Sequence, residues 1–218
     1  MIKLIFFGDS ICFGQGVSLS KAWITQIAFT LEKNEGIEVT AVNTSLNGRT
    51  TRQALEHMPH EVQSQNPDLL VVQYGMNDCN IWATDKGLAR VSKEAFKANL
   101  NEIIARGYNF GAKKILLNTN HPTLRNKEVL PFSNITYQES NEEYNKVIRE
   151  VAAQNKNLVV LNDIEKAIKE RFSLEEDLAD LLLPDLLHLS AKGHSIYFEL
   201  VYPKVLTMIN EYQDNKNV

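Results

Sequence analysis

Cysteine is scarce in this chain. Two thiols, Cys12 and Cys79, in 218 residues are too few for a disulfide framework, so a reducing cytoplasm is the expected compartment. Long apolar runs are missing as well. Nothing approaches the stretch of about 18 residues that a membrane span needs, and Leu4–Phe7 is too short for the apolar core of a signal peptide. Positive charge is in deficit, with 23 Lys and Arg against 27 Asp and Glu and a net charge of −4. The chain therefore carries no basic stripe for nucleic acid, and a small molecule is the expected partner.

Several motifs are also missing. The Gly-rich stretch after the first apolar run has no lysine of the G-x-x-x-x-G-K-[ST] kind, and Gly14-Gln15-Gly16 is not followed by the third glycine of a dinucleotide fingerprint. There is no G-x-S-x-G elbow and no H-E-x-x-H pair. His57 and His60 fall three apart on a predicted helix and belong to a solvated face, so neither a metal nor a cofactor is expected.

What remains is a regular alternation. Short apolar runs at Lys3–Phe7, Val39–Asn43, Leu69–Tyr74, Lys114–Asn118 and Leu158–Leu161 read as buried strands. Amphipathic stretches lie near Ala22–Lys33, Thr51–Gln65, Lys93–Arg106 and Glu139–Gln154, and a long one closes the chain from Ala191 to Tyr212. Such β-α alternation predicts an α/β sandwich, a parallel sheet covered by helices on both faces, formed by one domain over residues 1–218. Two segments interrupt the rhythm, His121 to Tyr137 and Phe172 to Leu187. Both approach strand ends and are expected at the rim of the crevice, with Leu124, Leu130, Phe132 and the run Leu181-Leu182-Leu183 as its apolar side chains.

Three short motifs carry chemistry. Gly8-Asp9-Ser10 follows the first strand and leaves a hydroxyl where ligands bind in open α/β folds. Gly75-Met76-Asn77-Asp78 follows the third, and Asn77 brings an NH2 donor. Asp185-Leu186-Leu187-His188 precedes the last helix and sets an acid three residues before an imidazole. A serine needs a base at neutral pH, and that base needs a carboxylate to fix its tautomer. Attack on an ester also creates an oxyanion that needs preorganised donors. The Ser10 N–H and the Asn77 amide are two candidates, and the loop Asn47-Gly48-Arg49 after the second strand offers a third. Tyr74 and Trp82 flank the Asn77 motif and either wall the acyl pocket or serve as packing aromatics, and His121 before Pro122 either faces the crevice or shapes the loop after the fourth strand; these three are the substrate-binding candidates. Cys12, two residues after Ser10, is a minor rival as nucleophile.

Taken in order along nearly the whole chain, GDS at 8–10, Gly48, GMND at 75–78 and DLLH at 185–188 resemble the SGNH (GDSL-type) hydrolase family. The resemblance implies a flavodoxin-like five-stranded fold with Ser10 as nucleophile, His188 as base and Asp185 as orienting acid. It also implies oxyanion donors at Ser10, Gly48 and Asn77. Ile11 stands where the family name has Leu. The expected reaction is hydrolysis of a short-chain, acetyl-like ester of an O-acetylated sugar or a lipid. An acyltransferase or thioesterase on the same triad, or a non-catalytic carbohydrate- or lipid-binding module, are the alternatives.

Overall fold

Four consecutive apolar residues, Leu4 to Phe7, leave no wet face, which fits a strand covered on both sides. In the computed structural model, which describes residues 1–172 and 174–216, β1 (Ile2–Gly8) is buried along its length except at Lys3. The chain continues through α1 (Ser10–Phe13), α2 (Trp23–Lys33), β2 (Val39–Asn43), α3 (Thr51–Glu61), β3 (Leu69–Gln73) and α4 (Lys93–Asn109). It then forms β4 (Lys114–Asn118), α5 (Tyr137–Gln154), β5 (Val159–Asn162), α6 (Ile164–Arg171), α7 (Glu175–Ala179) and α8 (Ala191–Lys216). The five strands pair in parallel in the order β2-β1-β3-β4-β5. Helices α2 and α6 pack on α8, and α3 and α5 pack on α4, giving the two outer layers.

From β1 the chain winds first toward β2, then returns past β1 to β3 and continues the other way. The carboxyl ends of β1 and β3 therefore flank the point where the winding reverses, the place where open α/β sheets form a ligand crevice. Both chemistry-bearing turns that follow these strands are brought to it.

Local chemistry sets the helix boundaries. Helix α5 begins at Tyr137, two residues before the expected start, because Thr136 and Glu139 form a reciprocal capping box. Helix α3 ends at Glu61 and tightens into a 3-10 turn at Gln63–Gln65, short of the expected span. Pro59 lies in its last turn, where it removes a backbone donor. Helix α6 is absent from the sequence expectation, because Ile164 and Ile168 are its only buried apolar side chains. Ser173, within the second irregular segment, lies outside the described residues. Among those residues no helix is long and apolar enough to cross a membrane.

Candidate active site

The crevice is built on a strand end that only glycine fits. A side chain on Gly8 would place its Cβ 2.5 Å from the Cβ of Cys12 and 2.8 Å from the Gln73 carbonyl oxygen. The chain turns sharply there. Asp9 caps α1 by accepting the Ile11 N–H at 3.0 Å, which makes Ser10 the first helical residue. Ser10 is 4% exposed and its hydroxyl faces the turn before α8.

That turn sets an imidazole beside a carboxylate. Leu186 adopts φ +64° and its N–H bonds to the Leu183 carbonyl at 2.8 Å, which folds residues 183–186 tightly. Asp185 Oδ1 accepts the N–H groups of Leu187 and His188 at 3.1 and 3.0 Å, and Oδ2 lies 2.5 Å from His188 Nδ1. A carboxylate only accepts, so Nδ1 carries the proton and Nε2 presents its lone pair. Nε2 lies 3.0 Å from Ser10 Oγ, 178 residues away in sequence. Partial burial raises the Asp185 pKa, but the His188 ring and the two backbone N–H groups outweigh it and hold the carboxyl below its ordinary range. The three side chains form one line of hydrogen bonds able to take a proton from Ser10 as its oxygen attacks a carbonyl.

Asn77 approaches from the turn after β3. Helix α5 holds that turn in place: the Tyr137 hydroxyl donates to the Met76 carbonyl, and Ser140 Oγ donates to the Cys79 carbonyl at 2.7 Å. Asn77 Nδ2 donates to Asp9 Oδ2 at 3.5 Å, and its Oδ1 accepts from Arg90 Nη1 at 3.3 Å. The same Arg90 nitrogen donates to the Gly48 carbonyl at 3.2 Å, which brings the loop after β2 beside Asn77. Gly48 has φ +75° with open space where a Cβ would stand, so backbone conformation, rather than crowding, calls for glycine.

Two buried carboxyls flank these motifs. Burial pushes Asp9 up to about 7, the Ile11 N–H opposes the rise, and Asp78 adds to it. Burial likewise pushes Asp78 up to about 6 against hydrogen bonds from Thr51, whose N–H and Oγ reach Oδ1 at 2.9 and 2.5 Å. Neither acid was singled out in the sequence, although each adjoins a motif residue. Arg90 carried no local signal at all.

Two of the substrate-binding candidates are not at the surface. Tyr74 is fully buried, with its ring edge-on to Phe7 at 5.3 Å, because the chain passes through the core before the Gly75 turn. His121 is also buried. Its Nε2–H donates to the Leu187 carbonyl at 2.8 Å and its Nδ1 accepts from the Tyr197 hydroxyl at 2.7 Å. It fastens the His188 turn to α8, with both ring nitrogens engaged. Trp82, by contrast, is 50% exposed at the crevice mouth beneath the Arg90 guanidinium.

Beside Asp185 lies a cleft of ≈ 550 Å³, lined on one side by Leu124, Val129, Leu130, Pro131, Tyr137 and Leu186 and elsewhere by Asn80, Arg125, Lys127 and Glu128. Leu124 and Leu130 thus take the expected place. Leu181 and Leu182 pack into the core, and Phe132 is 74% exposed. Cys12 and Cys79 are buried free thiols that burial holds protonated, which removes Cys12 as a nucleophile. His57 and His60 are exposed on α3, and among the described residues no three metal-binding side chains converge.

Residues 6–196 match the family described as GDSL-like lipase/acylhydrolase. The chain is 28% identical to the arylesterase of Vibrio mimicus over 120 residues, spanning 55% of this chain and 56% of that protein. It is 27% identical to the esterase TesA of Pseudomonas aeruginosa over 157 residues, 72% of this chain and 68% of that one. The crystal structure of the lipase/acylhydrolase from Enterococcus faecalis superposes with a TM-score of 0.73 at 25% identity, covering 94% of this chain and 95% of that one.

Proposed function

We propose that this chain, which belongs to the GDSL-like lipase/acylhydrolase family, is a serine esterase working through Ser10, His188 and Asp185. The observation that carries the reading is the relay of 3.0 and 2.5 Å from Ser10 Oγ through the imidazole to the Asp185 carboxylate. Ser10 Oγ attacks the ester carbonyl while its proton passes to His188 Nε2. The oxyanion is met by the Ser10 and Gly48 N–H groups and the Asn77 NH2. His188 then gives its proton to the leaving alcohol as the C–O bond breaks. A water, deprotonated by the same imidazole, returns the acyl group as a carboxylic acid and frees Ser10.

The cleft beside Asp185 supports a short acyl group. Its lining is interrupted by the charges of Arg125, Lys127, Glu128 and Asp185, so added methylenes would stay partly hydrated and gain less than the ~0.8 kcal/mol of full burial. An O-acetylated sugar or a comparable small ester suits this lining.

One experiment tests both statements. Esters of p-nitrophenol from acetate to decanoate should give a burst of p-nitrophenol with the highest kcat/KM at the short end, and Ser10→Ala should abolish the turnover. Undiminished hydrolysis by Ser10→Ala sinks the mechanism. An optimum at eight carbons or more sinks the short-chain reading alone.

A further inference from the structure

Arg90 lies 13 residues beyond Asn77, outside every motif of the site, yet one of its nitrogens reaches two of them. Nη1 donates to the Gly48 carbonyl at 3.2 Å and to Asn77 Oδ1 at 3.3 Å. The guanidinium lies 4.1 Å from the centroid of the Trp82 ring. The backbone is also tied down, since the Arg90 N–H bonds to the Asn80 carbonyl at 2.9 Å. At the other end of the same carboxamide, Asn77 Nδ2 donates to Asp9 Oδ2.

We propose that Arg90, held by Trp82, is a positioning residue that fixes which end of the Asn77 amide faces the reacting carbonyl. The proposal rests on the serine-esterase reading above. The torsion that turns an Asn carboxamide is broad and roughly two-fold, so the side chain alone does not choose between presenting its NH2 and its oxygen. An NH2 in that place stabilises an oxyanion. A carbonyl oxygen repels it. Guanidinium has donors and no acceptor, so the atom it meets must be the oxygen, and the NH2 is left facing Asp9 and the crevice. Trp82 limits the swing of the guanidinium by stacking. The bond to Gly48 sets the spacing between the loop after β2 and Asn77, the two sources of donors besides Ser10.

A double-mutant cycle reads the coupling. Arg90→Met keeps an unbranched stem against Trp82 and removes the donors. It should lower kcat about tenfold or more with little change in KM, since a donor slightly out of place costs much of its value. In an Asn77→Ala background the same substitution should cost less than about twofold, because there is no amide left to orient. Arg90→Lys, which keeps a nitrogen able to donate to both oxygens, should recover part of the loss. The melting temperature should stay near that of the parent throughout. An equal fall in both backgrounds, or a rise in KM alone, overturns the proposal and makes Arg90 a direct contact to the substrate.

A second readout does not depend on turnover. In 15N-labelled protein, the side-chain NH2 signals of Asn77, identified by their loss in Asn77→Ala, should shift in Arg90→Met and return toward their original place in Arg90→Lys. Signals that stay put in Arg90→Met overturn the clamp. Should Ser10→Ala remain active, the esterase reading falls while this measurement still decides whether Arg90 orients the amide.

Discussion

Asn77 is a turn residue whose side chain is held at both ends, by Arg90 at its oxygen and by Asp9 at its nitrogen. Two roles predict different outcomes for Asn77→Ala. If the NH2 meets an oxyanion, kcat should fall about 10²–10³-fold while KM and the melting temperature barely move. If the residue only shapes the turn, stability and activity should fall together. Kinetics beside a thermal melt separates the two, and the partial exposure of the side chain favours the first. Gly8 makes the complementary point. Its motif role comes from space, since nothing larger fits between Cys12 and the Gln73 carbonyl, whereas Gly48 is set by its φ of +75°. The letter G in two motifs thus answers two different physical demands.

The turn at 183–188 is closed by its own hydrogen bonds but is seated on the rest of the molecule by others. It is fastened from outside by the Arg125 side chain on the Asp185 carbonyl at 2.9 Å, the Leu124 N–H on the Leu186 carbonyl at 3.1 Å, and His121 on the Leu187 carbonyl. The segment after β4 therefore carries the segment before α8. Replacing His121 by Leu would leave the Leu187 carbonyl and the Tyr197 hydroxyl without partners in the interior, at about 1–3 kcal/mol each. The melting temperature should fall by about 4–24 °C for a chain of this size. On the proposed mechanism activity should fall with it through kcat, since His188 and Asp185 ride on the loosened turn. A substrate-contacting His121 would instead raise KM and leave the melt unchanged, so a melt and a kinetic titration of His121→Leu decide the question.

Across the whole molecule, four buried titratable groups pull the pH dependence of stability in opposite directions. Asp9 and Asp78, raised to about 7 and about 6, hold a proton more tightly folded than unfolded. Their stabilisation is full below the ordinary carboxylate value of 3.8 and is lost as pH rises through 6 to 7. His121 and His194 are lowered to about 4 by burial, and stay neutral where the unfolded chain would protonate them. Their stabilisation is full above 6.5 and is lost as pH falls toward 4. Each group contributes a slope of about 1.4 kcal/mol per pH unit, and between about pH 4.5 and 6 the two pairs cancel. The melting temperature should be nearly flat there. Asp9→Asn should make it climb with pH, and His194→Gln should make it decline. A steep parent curve with both variants parallel to it would remove the balance.

The five strands, their cover of helices on both faces and the turn that carries Ser10 are all legible in short-range pattern. Runs such as Leu4–Phe7 and Leu69–Val72 can be continuous only in a sheet covered on both faces, and the turns after them name their own chemistry. The Asp185–His188 pairing was equally local, because three residues in a tight turn bring the side chains together. What the chain order could not express is depth and long-range proximity. Tyr74 and Trp82 flank the same motif, yet one is in the core and the other at the mouth, because the burial of each depends on what distant segments pack over it. His121 follows a strand end as a pocket residue would, yet Leu187 and Tyr197 occupy both its nitrogens. Arg90 and Asp9 enclose Asn77 from opposite sides only once β1 and β3 lie next to each other. Periodicity and turn chemistry are properties of neighbours in sequence, so elements and motifs are legible along the chain. The environment of each side chain is a property of neighbours in space, and it comes into being only when distant segments pack together.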